Sequence, residues 1–130
     1  MVVHKNLKTE TKETLINISG IIEEELAKSG IKEGRVTVFV PHTTAGVTIN
    51  ENADPDVRYD IIKGLRGLKF ESMDFDHSEG NSPAHLKASI MGSSVNVIVD
   101  GGRMLLGVWQ GIYFCEFDGP RNRKFIIQII

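Results

Sequence analysis

The sequence predicts an α+β fold in which mostly antiparallel β-sheets form a sandwich or barrel, with helices packed on the outside. Three observations lead to this prediction: strand-like segments dominate, the helical segments form separate blocks, and no repeat or low-complexity linker interrupts the chain. The chain has 130 residues, enough to bury a hydrophobic core. Residues 1–130 are therefore expected to form a single domain.

The N-terminal part predicts one or two strands followed by a helix. Polar and apolar residues alternate weakly through residue 18, and the second strand is expected in the run TLINIS. The helix is expected to start with Ser19 as its N-cap and to run through Lys28, because Gly30 then stands in the usual left-handed position. Ile22 and Leu26 would form its buried stripe, and the three glutamates at 23–25 would be solvated.

A strand from residue 35 to residue 42 has the clearest pattern. Val36, Val38 and Val40 fall on one face at a period of two, and His42 continues that face. We therefore expect His42 to point toward the core side at the end of the strand. A bend at 43–46 is expected to lead into a short strand over 47–50.

Two further helices are predicted from proline-containing start signals. Asp54-Pro55 and Ser82-Pro83 each place a capping residue before a proline at the first helical position, and Gly92 is expected to end the second helix. The expected buried residues are Val57, Ile61, Leu65 and Leu68 in the first of these helices, and Leu86 and Ile90 in the second.

The C-terminal third predicts strands joined by glycine-containing turns. The expected strands are 95–99, 104–106, 109–117 and 124–130, with turns at 100–102 and 118–120. The last strand is apolar on both faces, so we expect it to lie deep in a sheet or against a partner subunit.

The bulk properties exclude several classes of function. A net charge of −2 removes the basic surface that nucleic-acid binding requires, so no nucleic-acid partner is expected. No apolar run reaches the length of a membrane span and no signal-peptide core is visible, so a cytoplasmic protein with no membrane partner is expected. The single cysteine, Cys115, lies in an apolar strand pattern and is interpreted as an inert buried thiol, with a catalytic Cys–His pair as the alternative.

Three histidines form the candidate site. His77 and His85 flank a Glu-Gly-Asn turn and a helix start in the run DHSEGNSPAHLKASIMG, and His42 follows the apolar strand. Imidazole is the commonest metal ligand and changes charge near neutral pH, so a shared site is one interpretation. The alternative is that each histidine is a surface residue or a hydrogen-bonded core residue, because their spacing matches no zinc-finger or HExxH motif.

The neighbourhood of His85 favours a pocket. At the third helical position the helix dipole disfavours imidazolium, so His85 is expected to be neutral and able to bind a metal. His85, Ser89 and Gly92 share one stripe that is small and polar, as the lining of a pocket would be.

Several polar residues are candidates for accompanying roles. Gln110 and Glu116 share a strand face with apolar neighbours, so each belongs either to a hydrogen-bonded network or to a pocket. Glu51 is compatible with a ligand, a base or a surface residue. Arg121 stands in a turn, from which it could also clamp a phosphate, and Thr43 and Thr44 could add hydroxyl donors.

Three runs of the chain resemble the YjbQ-type family, also called secondary thiamine-phosphate synthases. These runs are PHTTAGVTINENADPDV, DHSEGNSPAHLKASIMGSS and GVWQGIYFCEFDGPRNRK, and the similarity covers nearly the whole chain. The resemblance implies a compact α+β sandwich-like fold, a homotrimer, and sites near the subunit boundaries. It also implies a divalent metal (zinc, magnesium or manganese) bound by His42, His77 and His85, with Glu51, Glu79, Asn81, Gln110, Glu116 and Arg121 around it.

The family's named activity joins hydroxymethylpyrimidine diphosphate to hydroxyethylthiazole phosphate and releases pyrophosphate. On this hypothesis the protein is a metal-dependent transferase. Its candidate catalytic residues are Glu51, Glu116 and Gln110, and its candidate phosphate- or substrate-binding residues are Thr43, Thr44, Asn81, Ser89 and Arg121. The alternatives are a metal-dependent hydrolase at the same histidines, and a non-enzymatic trimeric module that binds a metal or ligand.

Overall fold

The computed structural model describes residues 1–130 and contains two antiparallel sheets and three helices. The five-stranded sheet has the order β1 (Val2–Lys8), β8 (Asn122–Ile129), β3 (Gly34–Phe39), β5 (Ser94–Asp100) and β6 (Arg103–Met104). The three-stranded sheet has the order β2 (Thr14–Asn17), β7 (Gln110–Glu116) and β4 (Ala45–Glu51). The helices are α1 (Ser19–Ser29), α2 (Pro55–Arg66) and α3 (Ser82–Met91), and a short 3₁₀ turn spans Phe70–Ser72.

The main core lies between the two sheets. Alternate residues of the five-stranded sheet, such as Val36, Val38 and Ile127, meet Val47 and Phe114 of the three-stranded sheet. Helix α1 contributes one side to the same core and closes it. The strands of the five-stranded sheet alternate buried and exposed residues, as in β8, which is the pattern of a sheet with one buried face.

A second, smaller core lies on the other face of the three-stranded sheet. There Leu15, Tyr113 and Cys115 pack against Ile62 of α2 and Ala88 of α3. The three-stranded sheet is thus the middle layer of a sandwich, with α2 and α3 on its outside. This confirms the predicted α+β class with antiparallel sheets and outer helices.

Helix α1 confirms its predicted stripe but differs at its start. Ile22 and Leu26 are buried, and Gly30 takes the left-handed conformation with φ of 70°. Ser19 is the first helical residue rather than the cap, and its hydroxyl accepts a hydrogen bond from the Ile112 N–H instead. Glu25 was expected to be solvated, but it is buried and bonded to Lys5 at 2.7 Å, because β1 passes beside the helix.

Helices α2 and α3 begin and end close to the predicted residues. In α2 the predicted Ile61 and Leu65 are partly buried against the second core, whereas α3 buries another face than predicted. Asp54 caps α2 through its side chain, which accepts from the Asp56 N–H. Ile62 is the buried residue of α2, and Leu68 lies beyond its end, exposed. In α3 the predicted core residue Ile90 is also exposed. The buried residues of α3 are Ala84, Lys87 and Ala88.

The strands lie close to their predicted positions, with two corrections. Strand β3 ends at Phe39, so His42 lies in the loop after it and not on the strand face. Strand β8 lies deep in its sheet between β1 and β3, as predicted, but only one of its faces is fully buried. Its outer face carries Lys124, Ile126 and Gln128. None of the three helices is long and apolar enough to cross a membrane.

Candidate functional site

An open pocket of about 630 Å³ lies where β3 ends beside α3. The loop after β3 supplies His42 and Thr43, the segment before α3 supplies His77, and α3 supplies His85. The three histidines therefore line one pocket although they come from separate parts of the chain. Its other lining residues are Phe39, Val40, Pro41, Thr44, Glu79, Asn81, Ser93, Arg121 and Arg123.

His77 and His85 form a close pair. Their ring centroids are 5.5 Å apart and the rings are nearly perpendicular, at 89°. His85 occupies the first turn of α3, although at its fourth position, since Asn81 is the N-cap and Ser82 the first helical residue. The Asp- and Glu-rich segment before α3 folds back and brings His77 to the start of the helix, as the sequence suggested.

His42 is held by a main-chain contact. Its Nε2 accepts a hydrogen bond from the Lys124 N–H at 3.0 Å, so this nitrogen carries no proton and a neutral ring carries its proton on Nδ1. Burial lowers the pKa of His42, and the nearby Arg123 guanidinium lowers it further. His42 is therefore a neutral imidazole at physiological pH.

A buried ion pair lies beneath the pocket. The fully buried Glu116 carboxylate accepts hydrogen bonds from the Arg123 Nε at 2.9 and 3.0 Å and from the Thr9 hydroxyl at 2.7 Å. Arg123 Nη2 also donates to the Thr44 hydroxyl at 2.8 Å. Of the two interpretations open for Glu116, the structure supports the hydrogen-bonded network, and Arg123 links this network to the pocket wall.

Arg121 stands at the rim of the pocket. Its Nε donates to the Asp118 carbonyl oxygen at 2.8 Å and its Nη2 to the Asp118 carboxylate at 2.9 Å, in a turn that contains the cis peptide bond Gly119-Pro120. Burial alone would raise the pKa of Asp118, but hydrogen bonds from Asn81 and Arg121 lower it on balance. Arg121 is 51% exposed and keeps three of its five N–H donors for a ligand.

Asn81 carries an oxygen without a partner. Its Nδ2 donates to Asp118 at 3.0 Å, whereas its Oδ1 is buried and accepts no hydrogen bond. A buried acceptor left unsatisfied is costly, and such an atom often faces a ligand or water. Asn81 lines the histidine pocket, so this oxygen is available to a donor bound there.

The side chains, as they stand, do not form the three-histidine metal centre that the resemblance implies. No three His, Cys, Asp or Glu side chains lie close enough together to hold an ion. The Nε2 lone pair of His42 is used by Lys124. A metal on Nδ1 would require the proton on Nε2, where it would face the Lys124 N–H donor. His42 therefore does not fit as a ligand.

The other predicted residues divide into three groups. Thr43, Thr44, Asn81 and Arg121 line the pocket. Ser89 lies on an adjoining cavity with His42 and His85, and its hydroxyl donates to the His85 carbonyl oxygen. Glu51 and Gln110 lie elsewhere.

Glu51 and Gln110 are paired across β4 and β7 at the far end of the three-stranded sheet. They stand six strand positions from Ala45, about 20 Å from the pocket end at the rise of a β-strand. Gln110 is exposed and its Oε1 accepts from the Gly107 N–H. Within one chain, neither residue reaches the histidines.

Two buried cations near the pocket were not singled out by sequence reasoning: Arg123 and Lys87. Lys87 is 2% exposed and donates to Glu13 and Glu71. Burial alone would lower its pKa, but the two carboxylates raise it on balance, so it is an ammonium group and not a nucleophile. The available signal was the stripe Ala84, Lys87, Ala88 and Met91, in which a lysine interrupts small and apolar residues.

Cys115 is fully buried, and burial raises the pKa of its thiol. It lies in the second core and not in the histidine pocket. This arrangement is that of an inert structural thiol, as expected, and gives no support to a Cys–His pair.

Comparison with known proteins identifies the family. A family model described as UPF0047 protein YjbQ-like matches residues 4–130. The chain belongs to this family. A UPF0047 protein of Methanocaldococcus jannaschii is 48% identical over 130 residues, which cover all of this chain and 94% of the relative. The YugU protein of Bacillus subtilis is 47% identical, with 95% of each chain covered.

Solved structures of the family share the fold. A YjbQ/UPF0047 protein of Clostridium acetobutylicum has a TM-score of 0.96 and 50% identity, with 98% of this chain and 99% of that chain covered. A protein of Aeropyrum pernix has a TM-score of 0.94 and 37% identity, with 100% and 98% covered. These relatives confirm the resemblance found in the sequence motifs. Their names state no activity, so the function is argued from the site.

Proposed function

We propose that this protein is an enzyme that acts on a phosphorylated small molecule in the histidine pocket, with the thiamine-phosphate synthase reaction as the specific candidate. The observation that carries the proposal is the convergence of His42, His77 and His85 with Arg121 in one open pocket of about 630 Å³. A cavity of this size is in the range of small-molecule sites.

The rim of the pocket supports a phosphorylated ligand. Arg121 has N–H donors to spare and is oriented by Asp118, so a phosphate could receive paired hydrogen bonds without reordering the side chain. Thr43 lines the same pocket and adds a hydroxyl. Release of a diphosphate requires such donors, because negative charge grows on the departing oxygen.

The interior of the pocket supports acid–base chemistry. The neutral His42 ring can donate from Nδ1, and the His77 and His85 rings line the same pocket, where each imidazole offers a further hydrogen-bonding nitrogen to a ligand. Glu79 is the carboxylate that lines the pocket, and only a 3.5 Å contact with Asn81 engages it. Glu79 therefore suits stabilisation of a cation that develops on a substrate ring. Glu116 is not available for this role, because its carboxylate is bound to Arg123.

The test is turnover with matched histidine variants. Purified protein is incubated with hydroxymethylpyrimidine diphosphate and hydroxyethylthiazole phosphate, and pyrophosphate and thiamine phosphate are measured. His85→Ala should lower the rate by at least about 100-fold, the usual size of a lost acid–base group. His4→Ala should leave it unchanged, since His4 is exposed on β1 and lies outside the pocket.

The same assay separates the alternatives. Release of phosphate or pyrophosphate from the diphosphate alone would favour a hydrolase. Binding of both compounds without any product would favour a non-enzymatic binding module. Equal activity in the two histidine variants would contradict the placement of the chemistry in this pocket.

A divalent metal is a separate proposal. His77 and His85 would be its protein ligands, because His42 is engaged with Lys124. The measurement is elemental analysis of protein purified without chelator or affinity metal. About one ion per chain that is lost in His85→Ala would support the metal, and no ion after reconstitution with zinc, magnesium or manganese would contradict it.

A further inference from the structure

A buried lysine connects three parts of the chain next to the histidine pocket. Lys87 of α3 donates to Glu13 at 2.8 Å and to Glu71, which lies in the 3₁₀ turn. The Glu13 side chain is itself nearly buried and also accepts a hydrogen bond from the Arg66 Nε at 2.8 Å. The ammonium group thus has two carboxylate partners, while Glu13 has two cationic ones.

The segment from residue 69 to residue 80 has no other polar connection to a distant part of the fold. Its remaining hydrogen bonds are local: Lys69 bonds to Arg66, Ser72 to Lys69, Met73 to Phe70, and Glu79 to Asn81. Apart from the ring contact between His77 and His85, the Lys87–Glu71 ion pair is what joins it to α3 at a residue away from its own ends. This segment carries His77 and Glu79 to the pocket.

The inner side of the segment borders a cavity. A second cavity of about 400 Å³ lies between it and the Glu13–Lys87 pair. His77, Glu79 and Asn81 line both this cavity and the histidine pocket, so they form a partition between the two. A partition with space on both sides lacks the dense packing that would otherwise fix a side chain.

We propose that Lys87 is a positioning residue that, through Glu71, holds the segment 69–80 in place and so keeps His77 against His85. The proposal rests on the proposed function only in treating the histidine pair as the working part of the pocket. Loss of Glu71 leaves Lys87 paired with Glu13, so the chain still folds and the tether alone is removed.

The experiment compares Glu71→Ala with Arg66→Ala by hydrogen exchange. Each variant removes one ion pair from the same cluster, but only Glu71→Ala releases the segment. The Ser72 and Met73 amides, which donate the hydrogen bonds of the 3₁₀ turn that carries Glu71, should exchange about tenfold faster in Glu71→Ala, as expected when a charge-assisted hydrogen bond is lost. Exchange there should be unchanged in Arg66→Ala, and Glu71→Gln should restore part of the protection because its amide oxygen still accepts from Lys87.

A second measurement distinguishes a positioning role of Lys87 from a general effect on stability. The NMR signal of the His77 ring should shift in Glu71→Ala, because the ring leaves the face-to-edge contact with His85. Neither measurement requires a substrate, so the result stands apart from any failure of the proposed reaction. The proposal is overturned if Glu71→Ala leaves the exchange of the Ser72 and Met73 amides and the His77 signal as in the wild type, or if Arg66→Ala changes both equally.

Discussion

At the level of single residues, the 3.0 Å hydrogen bond from the Lys124 N–H to His42 Nε2 sets where the imidazole carries its proton. The sequence placed His42 at the end of an apolar strand and so close to the core. It could not show this contact, because the donor is a main-chain group 82 residues away on β8. Predicting it would have required the register between β3 and β8, which sequence periodicity leaves open.

The pKa of His42 is expected to lie below the reference value of 6.5. Burial and Arg123 favour the neutral ring in the folded chain. Because the folded pKa is lowered, the contribution of His42 to stability is present above the unfolded pKa and is lost as pH falls through the folded one. An NMR titration of the ring signals measures this pKa, and a value at or above 6.5 would contradict the burial argument.

Glu116 gives a second prediction at this scale. Glu116→Gln removes the charge partner of the buried Arg123 and should lower the free energy of unfolding by about 3–5 kcal/mol. The comparison is Arg121→Gln, which breaks a half-exposed pair and should cost less than about 1 kcal/mol. Urea denaturation measures both, and equal losses would show that the Glu116 network adds little beyond a surface pair.

At the level of elements, the starts of α2 and α3 followed from the sequence, whereas the buried face of α3 did not. Asp54-Pro55 and Ser82-Pro83 are local signals and lead to α2 and α3 as expected. The buried face of α3 depends instead on its neighbour. A Cβ at Gly46 of β4 would lie 2.5 Å from the carbonyl oxygen of Gly92, the residue after α3. The backbone of β4 therefore approaches the end of α3 closely. Small residues such as Ala88 fit this interface, and Ile90 points outward.

This close approach predicts the effect of a single methyl group. Gly46→Ala should destabilise the protein by about 1–3 kcal/mol, because the added carbon meets a main-chain oxygen that cannot move alone. The matched control is Gly64→Ala in α2, where an added Cβ meets nothing within 4 Å. This substitution should stabilise the protein by about 0.5–1 kcal/mol, because alanine favours the helix over glycine. Thermal unfolding compares the stabilities of the two variants. An unchanged stability in Gly46→Ala would mean that α3 can move away from β4 without cost.

At the level of the whole molecule, the fold class followed from the sequence, whereas the meeting of the three histidines was one of two open interpretations and the full site was implied only by the family resemblance. Glu51 and Gln110 belong to the same motifs as the pocket residues, yet strand β4 runs away from the pocket and carries Glu51 to its far end. Nearness in sequence predicts nearness in space over a turn, as for His77 and His85, but not along a strand of seven residues.

The homotrimer implied by the family resemblance remains a prediction at this scale. Light scattering coupled to size-exclusion chromatography should give three times the chain mass of 14.4 kDa. The value should hold on dilution to low micromolar concentration if the assembly is permanent. A mass of one chain would contradict the trimer, and Glu51 and Gln110 would then have no route to the pocket.

The contact between position 124 and His42 also bears on how freely this site can vary. A main-chain donor is the same whatever side chain it carries, so position 124 can change without altering the imidazole. Lys124→Ala should leave the proton on Nδ1. Proline is the one exception, because it has no N–H to offer. Part of this pocket is therefore encoded by the path of the chain and leaves no mark in its side-chain sequence.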